Sequence, residues 1–184
     1  MKRSILVLGL VAGVLASTTA MAQSDLGMKG IGGAIGYVSP ENVDGTFSIG
    51  ALADLGTLAP RLKLESRLDW WSHSEEAFGA KASVRDLTIG ARTKYMIEVA
   101  NPRLQPYVGA GLGLHFLSSE VSIPAQGGFP AMSESASDTK LGFDIGGGAM
   151  TAIGPRTNLM GELWYGLVTD MSQLSIRVGI CQQL

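Results

Sequence analysis

Polar and apolar residues alternate along most of this chain, and the alternation sorts its charges to one side. Between Leu62 and Trp71, Leu62, Leu64, Leu68 and Trp70 share one parity, while Lys63, Glu65, Arg67 and Asp69 share the other. Successive side chains of a strand point to opposite faces, so this segment has an apolar face and an ionic face. The same parity collects Asp54, Asp86, Arg92, Lys94, Lys140, Asp144, Glu162 and Arg177 from other segments, giving six acids and six bases in all. A soluble half-buried sheet puts its apolar face inward and its charges in water. Charges sorted to one face, opposite bands of Leu, Ile, Phe and Tyr, instead fit a closed sheet with a polar interior and lipid outside.

Eight segments carry the alternation: Gly30–Val38, Thr46–Gly56, Leu62–Ser72, Ser83–Val99, Tyr107–Leu117, Thr139–Ile153, Asn158–Val168 and Gln173–Cys181. Most approach the ~9–11 residues that a tilted membrane strand needs. Proline cannot donate to a ladder, and Pro40, Pro60, Pro102, Pro106, Pro124, Pro130 and Pro155 are expected between strands or at their edges. Three connections are short and hold Pro60-Arg61, Pro102-Arg103 and Pro155-Arg156. The others are Ser39–Gly45, His73–Ala82, Ser118–Asp138 and the brief Thr169–Ser172. Membrane barrels place short turns on the periplasmic side and longer loops outside. The pattern therefore predicts an all-β, eight-stranded antiparallel up-and-down transmembrane β-barrel with periplasmic Pro-Arg turns. The Ser118–Asp138 segment is expected to be a mobile extracellular loop and a place for an extracellular ligand.

Aromatic residues fit the same layout. Tyr37, Phe47, Trp70, Phe116, Phe143 and Tyr165 all fall on the apolar parity near the outer ends of their segments. Interfacial girdles have this arrangement, and the six form a candidate outer girdle. Only Tyr95 takes the matching inner position.

The chain start supplies a route to the membrane. Lys2 and Arg3 precede the apolar run Ile5 to Ala16, and Ala20-Met21-Ala22 is a small-x-small cleavage site before Gln23. These are the three parts of a secretory signal peptide, and twelve apolar residues are too few to span a bilayer. The expected division is residues 1–22 as signal peptide and 23–184 as one barrel domain. No later apolar run nears the ~18 residues of a membrane helix. The formal charge of the whole chain is −2, and it becomes more negative once Lys2 and Arg3 are removed, which gives no support to nucleic-acid binding. Cys181 is the single cysteine, so no intrachain disulfide can form.

Within this layout the residues Pro106-Tyr107-Val108-Gly109-Ala110-Gly111-Leu112-Gly113 resemble a strand of the OmpA-like and OmpX-like eight-stranded outer-membrane barrels. Gly146-Gly147-Gly148-Ala149, the Gly154-Pro155-Arg156-Thr157-Asn158-Leu159 turn and Glu162-Leu163-Trp164-Tyr165 are similar to the next hairpin of that family. The resemblance implies a monomer bathed in outer-membrane lipid and delivered there by the barrel-insertion machinery. It also implies a terminal aromatic as the insertion address; this chain has Leu184 there, on the outward parity of Leu174, Ile176, Val178 and Ile180.

An eight-stranded barrel has a bore that its own side chains fill. Lys63, Glu65, Arg67, Asp69, Arg92, Lys94, Asp144, Glu162 and Arg177 are therefore candidates for a charged lumen network that holds the barrel rigid. The alternative is a small pore or transporter for small or apolar solutes, in which Glu65 or Glu162 exchanges partners among Arg67, Arg92 and Arg177. Gly109, Gly111 and Gly113 on one segment and Gly142, Gly146 and Gly148 on the next leave one side of the lumen without side chains. Either neighbouring side chains such as Arg67 or Trp164 cover them or a gap remains. Outer-membrane hydrolases of this size need a His and a Ser on one face, but His115-Phe116-Leu117-Ser118 sets them on opposite faces. No metal-ligand spacing, P-loop or dinucleotide fingerprint occurs, so neither a cofactor nor a metal is expected. The sequence thus predicts a non-enzymatic barrel with a structural or surface-interaction role.

Overall fold

The computed structural model describes residues 24–41, 43–77, 80–101, 103–125, 131–169 and 171–184. The expected signal peptide lies outside them. Eight strands follow in chain order: β1 Asp25–Pro40, β2 Thr46–Ala59, β3 Leu62–Ala77, β4 Ala80–Met96, β5 Leu104–Ile123, β6 Met132–Ala152, β7 Thr157–Val168 and β8 Met171–Gln183. Each pairs antiparallel with the next, and β8 returns to β1 from Gln183↔Gly30 to Gln173↔Pro40, closing the barrel. Closure leaves no sheet edge within the ring, the condition for crossing a bilayer with strands.

Polarity is inverted relative to a soluble barrel. Glu65, Arg67, Asp86, Arg92, Lys94, His115, Asp144, Glu162 and Arg177 are buried, while Ile35, Leu112, Leu163, Ile176 and Val178 are each about half exposed or more. The expected parity is thus realised on every strand from which a charge was drawn.

Paired rows climb as they pass round the barrel. The row from Ile35 in β1 runs through Ile49, Trp70, Leu87 and Phe116 to Thr139 in β6. Thr139 already lies beyond Gly142, the partner of Val168 at the end of β7. This stagger tilts the strands and gives the wall two heights. The β3–β4 hairpin pairs out to Ala77↔Ala80 and β5–β6 out to Ile123↔Met132, whereas β7 and β8 are only 12 and 13 residues long.

The expected strand ends need correction here. Ser118–Asp138 is mostly not a loop: Ser118–Ile123 and Met132–Ser137 form six further paired rows, leaving a connection from Pro124 to Ala131. Residues 126–130 lie outside the described residues. His73–Ala82 is likewise mostly strand. The run of Ser, Glu and Ala in these segments hides the strand signal, because neither face of a projecting sheet touches lipid or core and nothing enforces hydrophobic alternation. Pro40 closes β1 at its end, as expected, but Pro106 lies inside a strand as the third residue of β5. In the opposite direction, β4 stops at Met96, short of Val99.

At the end that carries the termini, Pro60 and Arg61 make a two-residue turn, and Arg61 has φ 67°. That left-handed conformation ordinarily favours glycine. Arg61 is held there from outside: its carbonyl accepts from Met96 N at 2.8 Å, and its Nη2 lies 2.5 Å from Glu98 Oε1.

Candidate functional site

The interior charges meet in one connected layer across the bore. Lys94 Nζ donates to Glu65 Oε2 at 2.6 Å and to Glu162 Oε1 at 2.7 Å. Glu162 also accepts from Tyr107 Oη at 2.5 Å and from Arg177 Nη2 at 2.9 Å. Arg177 Nη1 then reaches Asp69 Oδ1 at 2.6 Å. Asp69 Oδ2 accepts from Arg67 Nη1 at 2.6 Å, and Arg67 Nη2 ends on Asp144 Oδ2 at 2.5 Å. The path runs from β3 and β4 over to β7 and β8 and back through β3 to β6. Removing charges from water is costly unless each meets opposite charge and hydrogen bonds; this layer gives every charged member opposite charge, while Arg67 Nε, Arg177 Nε and Arg92 Nε and Nη1 are left without a hydrogen-bond partner.

Eight of the nine expected network residues belong to this layer. Arg92 joins by charge rather than by hydrogen bond, with Nε 3.8 Å from Asp144 and Nη1 3.9 Å from Glu162. Its guanidinium stacks on Trp164, 4.0 Å from the ring centroid. Lys63 stands apart: it pairs with Asp54 at 3.6 Å, nearer the end that carries the termini.

Neighbouring side chains cover the glycine wall. A Cβ at Gly146 would lie 2.8 Å from Trp164 Cδ2, and one at Gly109 would lie 3.0 Å from Trp164 Cη2. Arg92 covers Gly111 in the same way, and His115 covers Gly142. Trp164 is thus wedged between glycine backbone and the Arg92 guanidinium, at 1% exposure. Two small voids lie in the bore. One void of ≈ 20 Å³ on the side of the long connections is bordered by Trp71, Thr88, Gln173 and Arg177, and another of ≈ 20 Å³ on the opposite side by Lys63, Met150, Met160 and Cys181. Each has room for about one water.

Sequence reasoning missed a second buried cluster. Asp86 Oδ2 lies 2.7 Å and Thr88 Oγ1 2.9 Å from His115 Nδ1, all three almost fully buried. The residue types suggest a nucleophile–base–acid relay. The geometry does not, because acid and hydroxyl crowd the same ring nitrogen, whereas a relay uses opposite nitrogens. Only the register Thr88↔His115 brings the residues together, and no local motif announces it.

The six outward aromatics are all substantially exposed, from Phe116 at 39% to Phe47 at 81%. Tyr37 and Phe47 are cross-strand partners and pack edge to face, with centroids 6.1 Å apart. Because the rows climb, a level band must step down along the later strands. Phe143 does so, pairing with Leu112 rather than with Phe116, and Tyr165 continues the step. Phe116 shares its row with Trp70 and so stands higher.

Beyond this band β3 to β6 continue as a projecting sheet. Met132–Thr139 pairs with β5 on one side, while pairing with β7 begins only at Gly142. Among the described residues, therefore, Met132–Thr139 presents an open strand edge. The projecting parts of β3 to β6 carry Glu75, Glu76, Glu120, Glu134 and Asp138 against Lys81, Arg85 and Lys140, with Glu134 and Asp138 on the edge strand itself.

A closed eight-stranded barrel that is ionic within and apolar without is a transmembrane barrel. The chain belongs to the outer membrane protein beta-barrel domain family, whose model matches residues 8–180, and its place is the outer membrane. No curated protein sequence matches it. Solved barrels share its fold at low identity. Neisserial surface protein A is 15% identical with a TM-score of 0.63, covering 84% of this chain and 96% of that one. A major outer membrane protein from Thermus thermophilus is 13% identical with a TM-score of 0.61, covering 86% and 100%. Ail, the attachment invasion locus protein of Yersinia pestis, is 15% identical with a TM-score of 0.56, covering 86% and 100%. Ail has also been solved in complex with the heparin analogue sucrose octasulfate.

Proposed function

We propose that this protein is a non-conducting surface-interaction barrel, which captures an extended segment of a partner on the open edge of β6. The observation that carries this reading is the unpaired Met132–Thr139 edge on a sheet standing clear of the aromatic band. An exposed strand edge offers a row of free backbone donors and acceptors, and a peptide can add to it as a further strand. The acidic flanks favour a neutral or basic segment. The same acidity disfavours a polyanion such as the analogue bound to Ail. The reading takes Lys2 to Ala22 as a signal peptide that delivers the barrel with its termini and Pro-Arg turns in the periplasm. The six aromatics then mark the outer interface, and the projecting sheet faces the exterior. The ion-pair layer serves as a plug that keeps the wall rigid under load. The two ≈ 20 Å³ voids support that role over a pore.

Two measurements test this. Barrels in nanodiscs are presented to an array of extended peptides, beside a variant whose β5–β6 hairpin is cut back to the paired residues Phe116 and Thr139. Binding of neutral or basic peptides that is lost in the shortened variant is expected, with both proteins keeping heat-modifiable gel mobility. Equal binding by both would overturn the edge reading. In planar bilayers no steady conductance is expected, and ohmic channels from the wild-type protein would replace the plug with a pore.

A further inference from the structure

Folding brings together a mixed ligand set that the sequence holds far apart. His73 and Glu75 are two residues apart on β3 and so share a face; Asp44 sits in the connection just before β2. One side-chain ligand atom from each of the three lies within 4.8 Å of the others. His73 Nε2 is 3.3 Å from Glu75 Oε1. Two ligands held ~2.0–2.1 Å from one zinc ion at a tetrahedral angle are about 3.3–3.4 Å apart. The His73–Glu75 spacing therefore already matches a shared ion, and the exposed Asp44 has to close by no more than about 1.5 Å on the same geometry. The His73 side chain is one-fifth exposed, enough for an ion and a water to reach the imidazole. Nearby Glu41 is engaged elsewhere: its Oε2 accepts from Ser172 Oγ at 2.8 Å.

We propose that Asp44, His73 and Glu75 form a site for a divalent transition-metal ion of the zinc class, with water as the fourth ligand. The imidazole selects against Mg²⁺ and Ca²⁺, which prefer oxygen throughout. A bound ion clips the β1–β2 connection to the projecting part of β3 at the mouth of the barrel. A His–carboxylate hydrogen bond is the plain alternative, and it predicts no metal affinity.

The two histidines of the chain make the test clean, because His115 is fully buried and leaves His73 as the solvent-reachable imidazole. Untagged protein refolded in detergent is titrated with Zn²⁺ by calorimetry. One equivalent is expected to bind, with at least tenfold weaker binding in His73→Ala and in Asp44→Asn. Glu76→Gln, next along β3 on the opposite face, is expected to bind as the wild type does. Zn²⁺ is also expected to protect His73 from diethylpyrocarbonate, read by mass spectrometry. Gel mobility confirms that each variant is folded. Zn²⁺ binding unchanged by His73→Ala, failure to bind Zn²⁺, or equal affinity for Mg²⁺ would each overturn the proposal.

Discussion

Replacing Lys94 with methionine tests whether the lumen layer is a dry, mutually dependent network. The Lys94 side chain is 3% exposed and neutralises two carboxylates, Glu65 and Glu162. They are not equally dependent on it. Glu162 keeps Tyr107 Oη at 2.5 Å and Arg177 Nη2 at 2.9 Å. Glu65 hydrogen-bonds to Lys94 alone among the described contacts, and its side chain is 9% exposed. Lys94→Met thus strands one buried carboxylate, and breaking a buried pair in this way costs about 3–5 kcal/mol. The double variant Lys94→Met with Glu65→Leu removes the stranded charge. Replacing both partners with apolar groups of similar size is near neutral, so most of the loss returns and about 1–2 kcal/mol remains for the surviving imbalance at Glu162. The assay is urea unfolding in lipid vesicles, followed by tryptophan fluorescence and electrophoretic mobility. A loss below about 1 kcal/mol in the single variant, with no recovery in the double, would mean that water solvates Glu65 freely. The layer would then be wet, and the plug reading would fail.

Three further outcomes follow from the same geometry. Val178 faces outward midway along β8, so Val178→Arg is expected to cost about 2–4 kcal/mol in the same unfolding assay, whereas a loss below about 1 kcal/mol would place this wall away from lipid. Gly146→Val meets the Leu163 carbonyl and the Trp164 backbone as well as its indole, so it is expected to cost at least about 1–3 kcal/mol and to shift tryptophan emission; a loss below about 1 kcal/mol with an unchanged spectrum would show that β7 and the indole do not close on Gly146. Arg61→Gly relieves a left-handed backbone position and forfeits only an exposed ion pair with Glu98, so a net gain of about 0.5–1 kcal/mol is expected, and destabilisation would mean the pair outweighs the strain.

The barrel was legible because the bilayer imposes one rule on every residue within it. Lys63 through Trp70 alternate with Ser66 as the one polar residue on the outward parity, since outward positions meet lipid and inward ones meet other charges. Outside that slab the rule lapses. Glu120 to Ile123 and Met132 to Ser137 form strand on backbone pairing with both faces in water, so their composition resembles a loop. The pairing inside the lumen was hidden for another reason. Parity states that Glu65, Lys94 and Glu162 point inward, but strand tilt and stagger decide that they meet, and those are properties of the closed ring. Arg92 shows the same limit: its charge suggested an ion-pair member, and it is one, but parity gave no sign of its stacking on Trp164.

These two regimes assign different work to different parts of one wall. Within the slab the charges are spent on one another. Glu65, Asp69, Asp144 and Glu162 face Arg67, Arg92, Lys94 and Arg177, a balance of four against four. Above the slab the same strands lose their partners in sequence around the ring: β7 ends at Val168, while β6 runs on to Met132. The stagger that lets side chains fill the bore thus also leaves two open edges above the band, on β6 from Met132 to Thr139 and on β3 past Trp71. The proposed capture of a partner segment draws on such edges, where backbone groups remain to be satisfied by something outside the chain.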